Sequence, residues 1–381
     1  MSNQYKNLIC PISDTKKFYK LISIKNFPIY MGVVNKNHRT EFLNLNFNIN
    51  KLTGTVQIHP RVPIKKLYFK PHGSGTIGKV WQEHHSEFYK VIKKKIKNNI
   101  LEIGGGHNSI SKILGKTKKN LNINLTSFDP NGKILSNLNH KIIRDFFNSK
   151  NIKRYNIKKK YNLIVHSHLI EHIYSPMEFL SNIYKLLDSN GLHIFSIPNL
   201  KKMIENGYAN AMNFEHPYYL DESLLDYMLK QNGFKILKKK FFKSSHSIFY
   251  VTKKDDKNHK KINYNFFEKN KKKFLNLKKE WDNDVKLLNT KISNKKNIFI
   301  FGAHIFSQNL IFNGLNGANI KYILDNDPNK LHKCLYGTNI IVKSPKILEN
   351  YSNPIVILRA GPYNSEIKKK IMTINKKTKF I

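Results

Sequence analysis

A strand, a glycine-rich turn and an acid at the end of the next strand form the pattern that most restricts the fold of this chain. Residues 99–109 read NILEIGGGHNS, an apolar run with one acid that leads into the glycines. Residues 110–114 are predicted to begin a helix, and the run LTSFD at 125–129 supplies a second strand that ends in an acid. This order is typical of folds that bind an adenosyl cofactor at the carboxyl ends of parallel strands.

The glycines and acids of this pattern predict the cofactor. Gly104 and Gly106 are expected to let the main chain approach the ligand closely, because glycine lacks a Cβ atom. The G-x-G-x-x-G pattern of dinucleotide sites fails, because Ser109 stands at its third glycine position. The sequence E-x-G-x-G instead resembles motif I of class I S-adenosylmethionine (SAM) methyltransferases. In that resemblance Glu102 ends the strand near the turn, Asp129 holds the ribose hydroxyls, and the cofactor is SAM.

A large excess of positive charge has two interpretations. The chain has 67 Lys and Arg against 25 Asp and Glu, a formal net charge of +42. Lysine is spread along the whole chain, whereas arginine, which reads bases through paired hydrogen bonds, is rare. This favours the composition of an AT-rich genome over a nucleic-acid interface, so we expect no specific nucleic-acid partner. An anionic small-molecule substrate would also gain from the charge. The arginines are Arg39, Arg61, Arg144, Arg154 and Arg359.

The remaining composition limits location and redox chemistry. No apolar run reaches the roughly 18 residues of a membrane span, and no charged-then-apolar leader opens the sequence. We therefore expect a soluble, cytoplasmic protein, and the sequence makes no prediction of its oligomeric state. Cys10 and Cys334 are too few for a disulfide framework or for a thiolate zinc site within one chain.

Hydrophobic periodicity predicts four parts and an α/β fold class. Residues 1–86 form a small N-terminal domain, and residues 87–254 alternate strands and helices around the glycine turn. The resemblances imply that the first part lies on the substrate side and that the second is a class I methyltransferase domain with a Rossmann-like central sheet. Residues 255–295 form a Lys-rich connecting helix, and residues 296–381 form a smaller Rossmann-like α/β domain. We also predict a helix over 87–99 and a helix stop at 188–191. The connecting helix has an apolar stripe of Phe267, Phe274, Leu277, Trp281, Val285 and Leu288.

Three stretches resemble one family, the three-domain SAM-dependent sugar C-methyltransferases. They are a junction segment at 69–88, the segment NFEHPYYLDESL at 213–224, and a series within 298–367 whose order holds over about seventy residues. The resemblance implies methylation of a nucleotide-linked keto-sugar at carbon, through an enolate. Methylation of oxygen or nitrogen in another small metabolite or glycan precursor stays open. A nucleic-acid methyltransferase and a non-catalytic binding protein are further alternatives.

The chain departs from that family in its N-terminal domain. The family binds zinc there through two C-x-x-C pairs, but the corresponding positions hold Cys10, Ser13, Asn50 and Thr53. Because hydroxyl and amide groups do not replace thiolates at structural zinc, we predict a zinc-free domain and no metal ligands. The adjacent histidines 84 and 85 lack a spaced acidic or Cys partner and are expected to pack in the core or at the surface.

The resemblance also assigns the site residues. Proton removal needs a base with a pKa near the working pH, which favours histidine. His172 has a structural alternative as a local hydrogen-bonding residue, and Asp145 has an alternative as a helix N-cap. Asp325 and Asp327 follow a turn with a single glycine, so we expect no dinucleotide site there. The predicted catalytic residues are His216 as base, Glu215 and His172; the cofactor-binding residues are Glu102, Gly104, Gly106, Asp129, Asp145, Phe146 and His166; and the substrate-binding residues are Tyr68, His72 and Asn213.

Overall fold

The computed structural model describes residues 8–68, 78–105, 123–132, 139–255 and 265–381. Two predicted site residues, His72 and Gly106, lie outside the described residues. The predicted helix from residue 110 and most of the junction segment lie outside them as well.

The N-terminal part is a small antiparallel sheet. Strands β1 (Phe18–Pro28), β3 (Phe42–Asn50) and β4 (Val56–His59) pair in the order β1-β3-β4, while β2 (Val33–Val34) lies apart from this sheet. A short helix, α1 (Ile64–Leu67), follows. The outer strand β4 continues its pairing with a distant segment, because the amide of Tyr219 donates to the carbonyl of Val56 and the amide of Ile58 donates to the carbonyl of Pro217. The sheet thereby holds the segment that follows His216.

The central part is a seven-stranded mixed sheet in the order β10-β11-β9-β8-β5-β6-β7. Strands β5 to β9 run parallel, and β11 is antiparallel to both β9 and β10. The strand–helix alternation predicted from the sequence is present. Its elements are α2 (Lys79–Lys93), β5 (Asn99–Ile103), β6 (Asn124–Phe128), β7 (Asn139–Ile143), α3 (Ser149–Arg154), β8 (Tyr161–Ser167), α4 (Pro176–Leu186), β9 (Leu187–Pro198), α5 (Leu200–Glu205), α6 (Glu222–Gln231), β10 (Phe234–Phe242), α7 (Lys243–His246) and β11 (Ser247–Lys254).

Two local predictions need correction. The helix expected over 87–99 is α2, which begins at Lys79, because the buried face of Phe88 and Ile92 extends back to His84 at helical spacing. It ends at Lys93. The stop expected at 188–191 lies inside β9, after α4 has already ended at Leu186. These residues are an insertion in β9 relative to its partner β8. Leu187 pairs with Tyr161 and Leu192 pairs with Leu163, so β9 advances by five residues while β8 advances by two.

The predicted connecting helix is α8 (Phe267–Ile292), and it packs on the N-terminal sheet. Its apolar stripe is buried except for the half-buried Phe267. The Phe274 and Trp281 rings lie 6.0 and 6.4 Å from the Phe47 ring of β3, centroid to centroid. The indole N–H of Trp281 donates to the carbonyl of Gly207 at 2.8 Å. The helix therefore joins the N-terminal sheet to the central part.

The C-terminal part is a parallel five-stranded sheet in the order β15-β13-β12-β16-β17. A short strand from this part, β14, pairs with β2, so the chain's N-terminal region also contacts the C-terminal part. No helix in the described part of the chain is both long and apolar enough to cross a membrane. The elements are β12 (Ile298–Phe301), α9 (Ile305–Phe312), β13 (Ile320–Leu324), β14 (Cys334–Leu335), β15 (Val342–Lys343), β16 (Ile355–Leu358), α10 (Asn364–Ile374) and β17 (Lys379–Phe380).

Candidate active site

One cavity of about 590 Å³ collects most of the predicted site residues. It lies where β5 and β8 end, and its walls come from α2, from the segment around residue 213 and from the C-terminal part. The carboxyl edge of the parallel strands is where this class of fold binds its ligands. The predicted residues that line the cavity are Glu102, Gly104, His166, His172, Asn213, Glu215 and His216.

The glycine turn has the geometry that a close ligand requires. Gly104 has a φ of +68°, and a Cβ atom built on it would lie 3.0 Å from a methyl carbon of Leu169. Its amide donates to the carbonyl of Phe128 on the neighbouring strand β6. Glu102 is buried at the end of β5 and lines the cavity. Asp129 follows β6, as predicted, and its carboxylate accepts the amide of Asn131 at 2.7 Å. These residues fit SAM, with the glycine turn close to the ligand and the acids at adjacent strand ends.

Three predicted cofactor contacts, Asp129, Asp145 and Phe146, lie outside the residues that line the cavity. Asp145 accepts the amide of Phe146 at 2.8 Å and lies 3.5 Å from the guanidinium of Arg154. The Phe146 side chain is exposed. The N-cap alternative for Asp145 is wrong, because Asn148 caps α3 by accepting the amide of Asn151.

His166 lies at the wall of the cavity but inside the sheet. Its Nε2 is 3.0 Å from Nε2 of His193, and its ring stacks on Phe195 with 4.8 Å between centroids. Burial lowers the pKa of His166 to about 3, so the ring is neutral at physiological pH. A neutral, packed ring presents an aromatic edge to the ligand space.

The Glu-His segment is fixed by its own loop. The Asn213 carboxamide oxygen accepts the amides of Glu215 and His216 at 2.8 and 3.2 Å, and its amide group donates to the carbonyl of Asn210. Asn213 was expected to bind substrate; in the structure its side chain bonds to the backbone of its own loop. It thereby sets the direction in which the Glu215 and His216 side chains leave the main chain.

His216 is a neutral imidazole with a defined tautomer. Its Nδ1 lies 3.2 Å from the carbonyl oxygen of Ala211, and since a carbonyl can only accept, Nδ1 carries the proton. The basic nitrogen is therefore Nε2. Burial lowers the pKa of His216, and the negative charge of Glu215 opposes part of that shift. The result is a base that is unprotonated near neutral pH and has a carboxylate nearby to stabilise its protonated form.

His172 lies at the centre of a hydrogen-bonded group. Its Nδ1 is 2.9 Å from the Tyr68 hydroxyl and 3.0 Å from the carbonyl oxygen of Glu215. The carbonyl again requires a proton on Nδ1. The Tyr68 hydroxyl donates to the Glu215 carboxylate. The rings of His172 and His216 are 4.7 Å apart between centroids, so the three predicted catalytic residues and Tyr68 form one group.

Glu171 was not among the predicted catalytic, cofactor-binding or substrate-binding residues, although it directly precedes the predicted His172. This carboxyl is buried 3.9 Å from Nε2 of His172 and 3.6 Å from Nδ1 of His168. Burial raises the pKa of Glu171 to about 8, so the group is protonated at neutral pH. The one available signal was its place in the run HSHLIEH directly after a strand, where a 3-10 turn, Ile170–His172, turns the acid inward.

The acids of the C-terminal part are engaged within that part. Asp325 accepts the amide of Ala303 at 2.9 Å and lies 3.1 Å from Lys330 Nζ. Asp327 accepts the amide of Asn329. Asp325, Asp327 and Lys330 also line the cavity, so the C-terminal part contributes both signs of charge to it.

The residues at the positions of the family's zinc ligands form a hydrogen-bonded network. Asn50 accepts the amide and the hydroxyl of Thr53 and donates to the Thr15 hydroxyl at 2.8 Å. The Sγ of Cys10 lies 3.9 Å from the Thr53 hydroxyl. Three of the four predicted positions therefore meet in space, but with one thiol. This donor set does not fit a structural zinc ion.

Comparison with known families identifies two domains. Residues 79–239 match the model of a methyltransferase domain, and residues 243–381 match the model of a C-methyltransferase C-terminal domain. No curated protein sequence matches the chain. The class I methyltransferase fold, the activity class and SAM as the cofactor are confirmed. The chain is an enzyme of the SAM-dependent methyltransferase class with a C-methyltransferase C-terminal domain.

Solved structures align with about half of the chain. A SAM-dependent methyltransferase from Clostridium acetobutylicum ATCC 824 is 16% identical, with 50% of this chain and 98% of that one covered and a TM-score of 0.35. The N-methyltransferase NodS from Bradyrhizobium japonicum WM9 is 12% identical, with 48% and 100% covered and a TM-score of 0.34. The glycopeptide N-methyltransferase MtfA with S-adenosylhomocysteine is 10% identical, with 45% and 86% covered and a TM-score of 0.34. The assignment therefore depends on the family models and the cavity.

Proposed function

We propose that this SAM-dependent methyltransferase methylates a carbon atom next to the keto group of a nucleotide-linked sugar. The observation that carries the proposal is the neutral His216, whose proton lies on Nδ1 and whose basic Nε2 belongs to a ring that lines the SAM cavity. The match to a C-methyltransferase C-terminal domain supports a carbon acceptor. The positive charge of the chain supports an anionic substrate of the sugar-nucleotide class.

The proposed reaction is a proton transfer followed by methyl transfer. Bound SAM supplies an electrophilic methyl group. His216 Nε2 takes the proton from the carbon next to the keto group, and the electron pair of that C–H bond forms the enolate. The enolate carbon forms the new bond to the methyl group as the sulfur–methyl bond breaks, which leaves S-adenosylhomocysteine. His216 then returns its proton to solvent.

The neighbouring residues support that base. The Glu215 carboxylate stabilises the imidazolium that forms on His216, since its charge raises the pKa of that ring. Tyr68 holds Glu215 through a hydrogen bond and contacts His172. Asn213 positions both Glu215 and His216 through their amides. We propose that His172 is a positioning residue, since its Nδ1 contacts both the Tyr68 hydroxyl and the Glu215 carbonyl.

Solvent exchange tests this function separately from methyl transfer. The full-length enzyme with S-adenosylhomocysteine and a keto-sugar nucleotide should exchange the substrate's α-proton in D₂O, as followed by NMR. His216→Asn should reduce exchange and turnover roughly 10²- to 10⁴-fold, while SAM affinity by calorimetry changes little. His332→Asn is the matched control, because His332 contacts Lys343 and does not line the cavity. Normal methyl transfer without exchange would point to an oxygen or nitrogen acceptor.

A further inference from the structure

Three histidines from three separate elements meet in a buried group beside the SAM cavity. His84 comes from α2, His168 follows β8, and His246 ends α7. One ligand nitrogen of each lies within 4.8 Å of the others. The centroid of the His84 ring lies 5.1 Å from that of the His168 ring and 5.4 Å from that of the His246 ring. The sequence predicted only a packing role for His84. In the structure, its ring lies beside the imidazoles of His168 and His246.

The hydrogen bonds of this group are incomplete. His84 is fully buried, and both of its ring nitrogens are without a hydrogen-bond partner in the part of the chain that the structure describes. The Nε2 of His246 is equally without a partner there. A buried polar atom of this kind is unfavourable unless a ligand or water satisfies it. The group therefore has ring nitrogens on two of its histidines that a ligand could satisfy.

The surroundings leave the ring nitrogens available to a ligand. His84 and His246 are 0% and 3% exposed, and three of their four ring nitrogens have no hydrogen-bond partner among the described residues. Neutral imidazole is the form that binds metal ions. Trp81 packs against all three rings, with centroid distances of 4.8 to 5.2 Å, and limits their movement.

Two further groups complete the pattern of a metal site. The Glu171 carboxyl lies 3.6 Å from Nδ1 of His168, so that one of its oxygens can accept the Nδ1 proton when a metal ion is bound at Nε2. The Ser247 hydroxyl lies 2.9 Å from His168 Nε2 and 2.6 Å from His246 Nδ1. Because this hydroxyl contacts both nitrogens, it fixes the orientation of the His168 and His246 rings.

We infer that His84, His168 and His246 bind one divalent transition-metal ion of the zinc class, with a fourth position open to the cavity. Three imidazole ligands suit zinc, cobalt and nickel, whereas magnesium and calcium prefer oxygen. The fourth position faces the cavity because His168 and His246 line it. The ion lies apart from the degenerate zinc position at Cys10, so it does not restore the family's structural zinc.

Cobalt titration of the full-length protein tests the site directly. After chelation and desalting, Co²⁺ should bind at one ion per chain and give the visible absorption of four-coordinate cobalt. Zn²⁺ should displace it and raise the melting temperature. His84→Phe keeps the aromatic packing and should weaken Co²⁺ binding at least 100-fold, and His246→Gln should do the same without placing a new ring in the core.

The neighbouring group of Glu171, His172 and His216 provides the discriminating control, since its ligand atoms also lie within 4.8 Å of one another. His216→Asn should leave Co²⁺ affinity and absorption nearly unchanged. Retention of the ion in folded His84→Phe and His246→Gln proteins together with loss in His216→Asn would overturn the proposal, as would failure of the wild type to bind either Co²⁺ or Zn²⁺. The readout is metal binding alone, so it is independent of which substrate the enzyme methylates.

Discussion

The hydroxyl oxygen of Tyr68 lies 2.9 Å from Nδ1 of His172, although 104 residues separate them in the chain. Tyr68 directly follows α1 of the N-terminal part, and His172 lies in the turn after β8 of the central part. The same hydroxyl donates to the Glu215 carboxylate. The N-terminal part thus contributes a polar group to the proposed catalytic cluster.

Replacement of Tyr68 by Phe should slow the enzyme while SAM binding stays intact. The variant loses the hydrogen bond that holds Glu215, and a hydrogen bond to a charged group contributes about 1.5–3 kcal/mol, equivalent to about 10- to 100-fold in kcat/KM. Steady-state kinetics measure the change. Tyr19→Phe is the control, because Tyr19 is an exposed residue of β1. If Tyr68→Phe and Tyr19→Phe changed kcat/KM by the same factor, Tyr68 would have no specific role in the site.

Replacement of Gly104 by Ala should weaken SAM binding at least tenfold. The residue has a φ of +68°, and its Cβ would lie 3.0 Å from Leu169, so both the turn and its neighbour must shift. Isothermal titration calorimetry with SAM and S-adenosylhomocysteine checks the effect. Gly317→Ala is the matched control, because no described atom lies within 4 Å of a Cβ there. Unchanged affinity in a folded Gly104 variant contradicts the proposed cofactor turn.

Replacement of Asp129 by Ala should weaken SAM and S-adenosylhomocysteine by the same factor. Asp129 is buried after β6, and we propose that its carboxylate binds the ribose that the two ligands share. The expected loss is about 1.5–3 kcal/mol. Calorimetry on both ligands measures it. A loss confined to one ligand would place Asp129 away from the ribose.

Glu171 should make the stability of the fold depend on pH. Its pKa is raised from 4.5 to about 8, so between these values the folded chain binds a proton that the unfolded chain has lost. Its contribution is complete below pH 4.5 and is lost as the pH rises towards 8. The groups that face it are His168, His172, Tyr68 and Tyr218.

Comparison of Glu171→Gln with the wild type isolates this effect. Relative to the variant, the free energy of unfolding of the wild type should fall by about 2–4 kcal/mol between pH 5 and 8. Buried histidines such as His84 act in the opposite direction below pH 6.5, and they are common to both proteins. Glu205→Gln, at a surface acid with a lowered pKa, should leave the slope over this range unchanged. Parallel curves for wild type and Glu171→Gln would show that the carboxyl is ionised in the fold.

The network at the family's zinc position should stabilise the N-terminal sheet without metal. The Asn50 side chain accepts hydrogen bonds from the amide of Leu52 and from the amide and hydroxyl of Thr53. It donates one to the Thr15 hydroxyl. Asn50→Ala should lower the free energy of unfolding by roughly 2–3 kcal/mol, because it removes several part-buried hydrogen bonds made by a fully buried side chain. Urea denaturation measures the loss. Asn44→Ala, which removes one exposed hydrogen bond, should cost far less. A chelator should leave the network intact.

The local patterns of the sequence predicted the central fold and the cofactor side of the cavity. Glu102 and Gly104 lie within one strand and its turn, and Asp129 ends the next strand, so local spacing places them at one edge of a parallel sheet. The start of α2 and the insertion at 188–191 escaped prediction, because both depend on packing and pairing with distant residues. The apolar stripe of α8 was predictable, since helical spacing alone defines a face.

Only the tertiary structure decided which polar side chains meet. Asn213 was expected to bind substrate, but its carboxamide accepts two backbone amides of its own loop. The sequence alone does not show which backbone amides a side chain will accept. Burial raises the pKa of Glu171, and the residues next to Glu171 in the sequence do not indicate that burial. His84 and His246 are far apart in sequence and share a point only because α2 and α7 pack together at the cavity. Spacing along the chain determines elements; the distances that set charge, tautomer and ligand geometry arise when those elements pack.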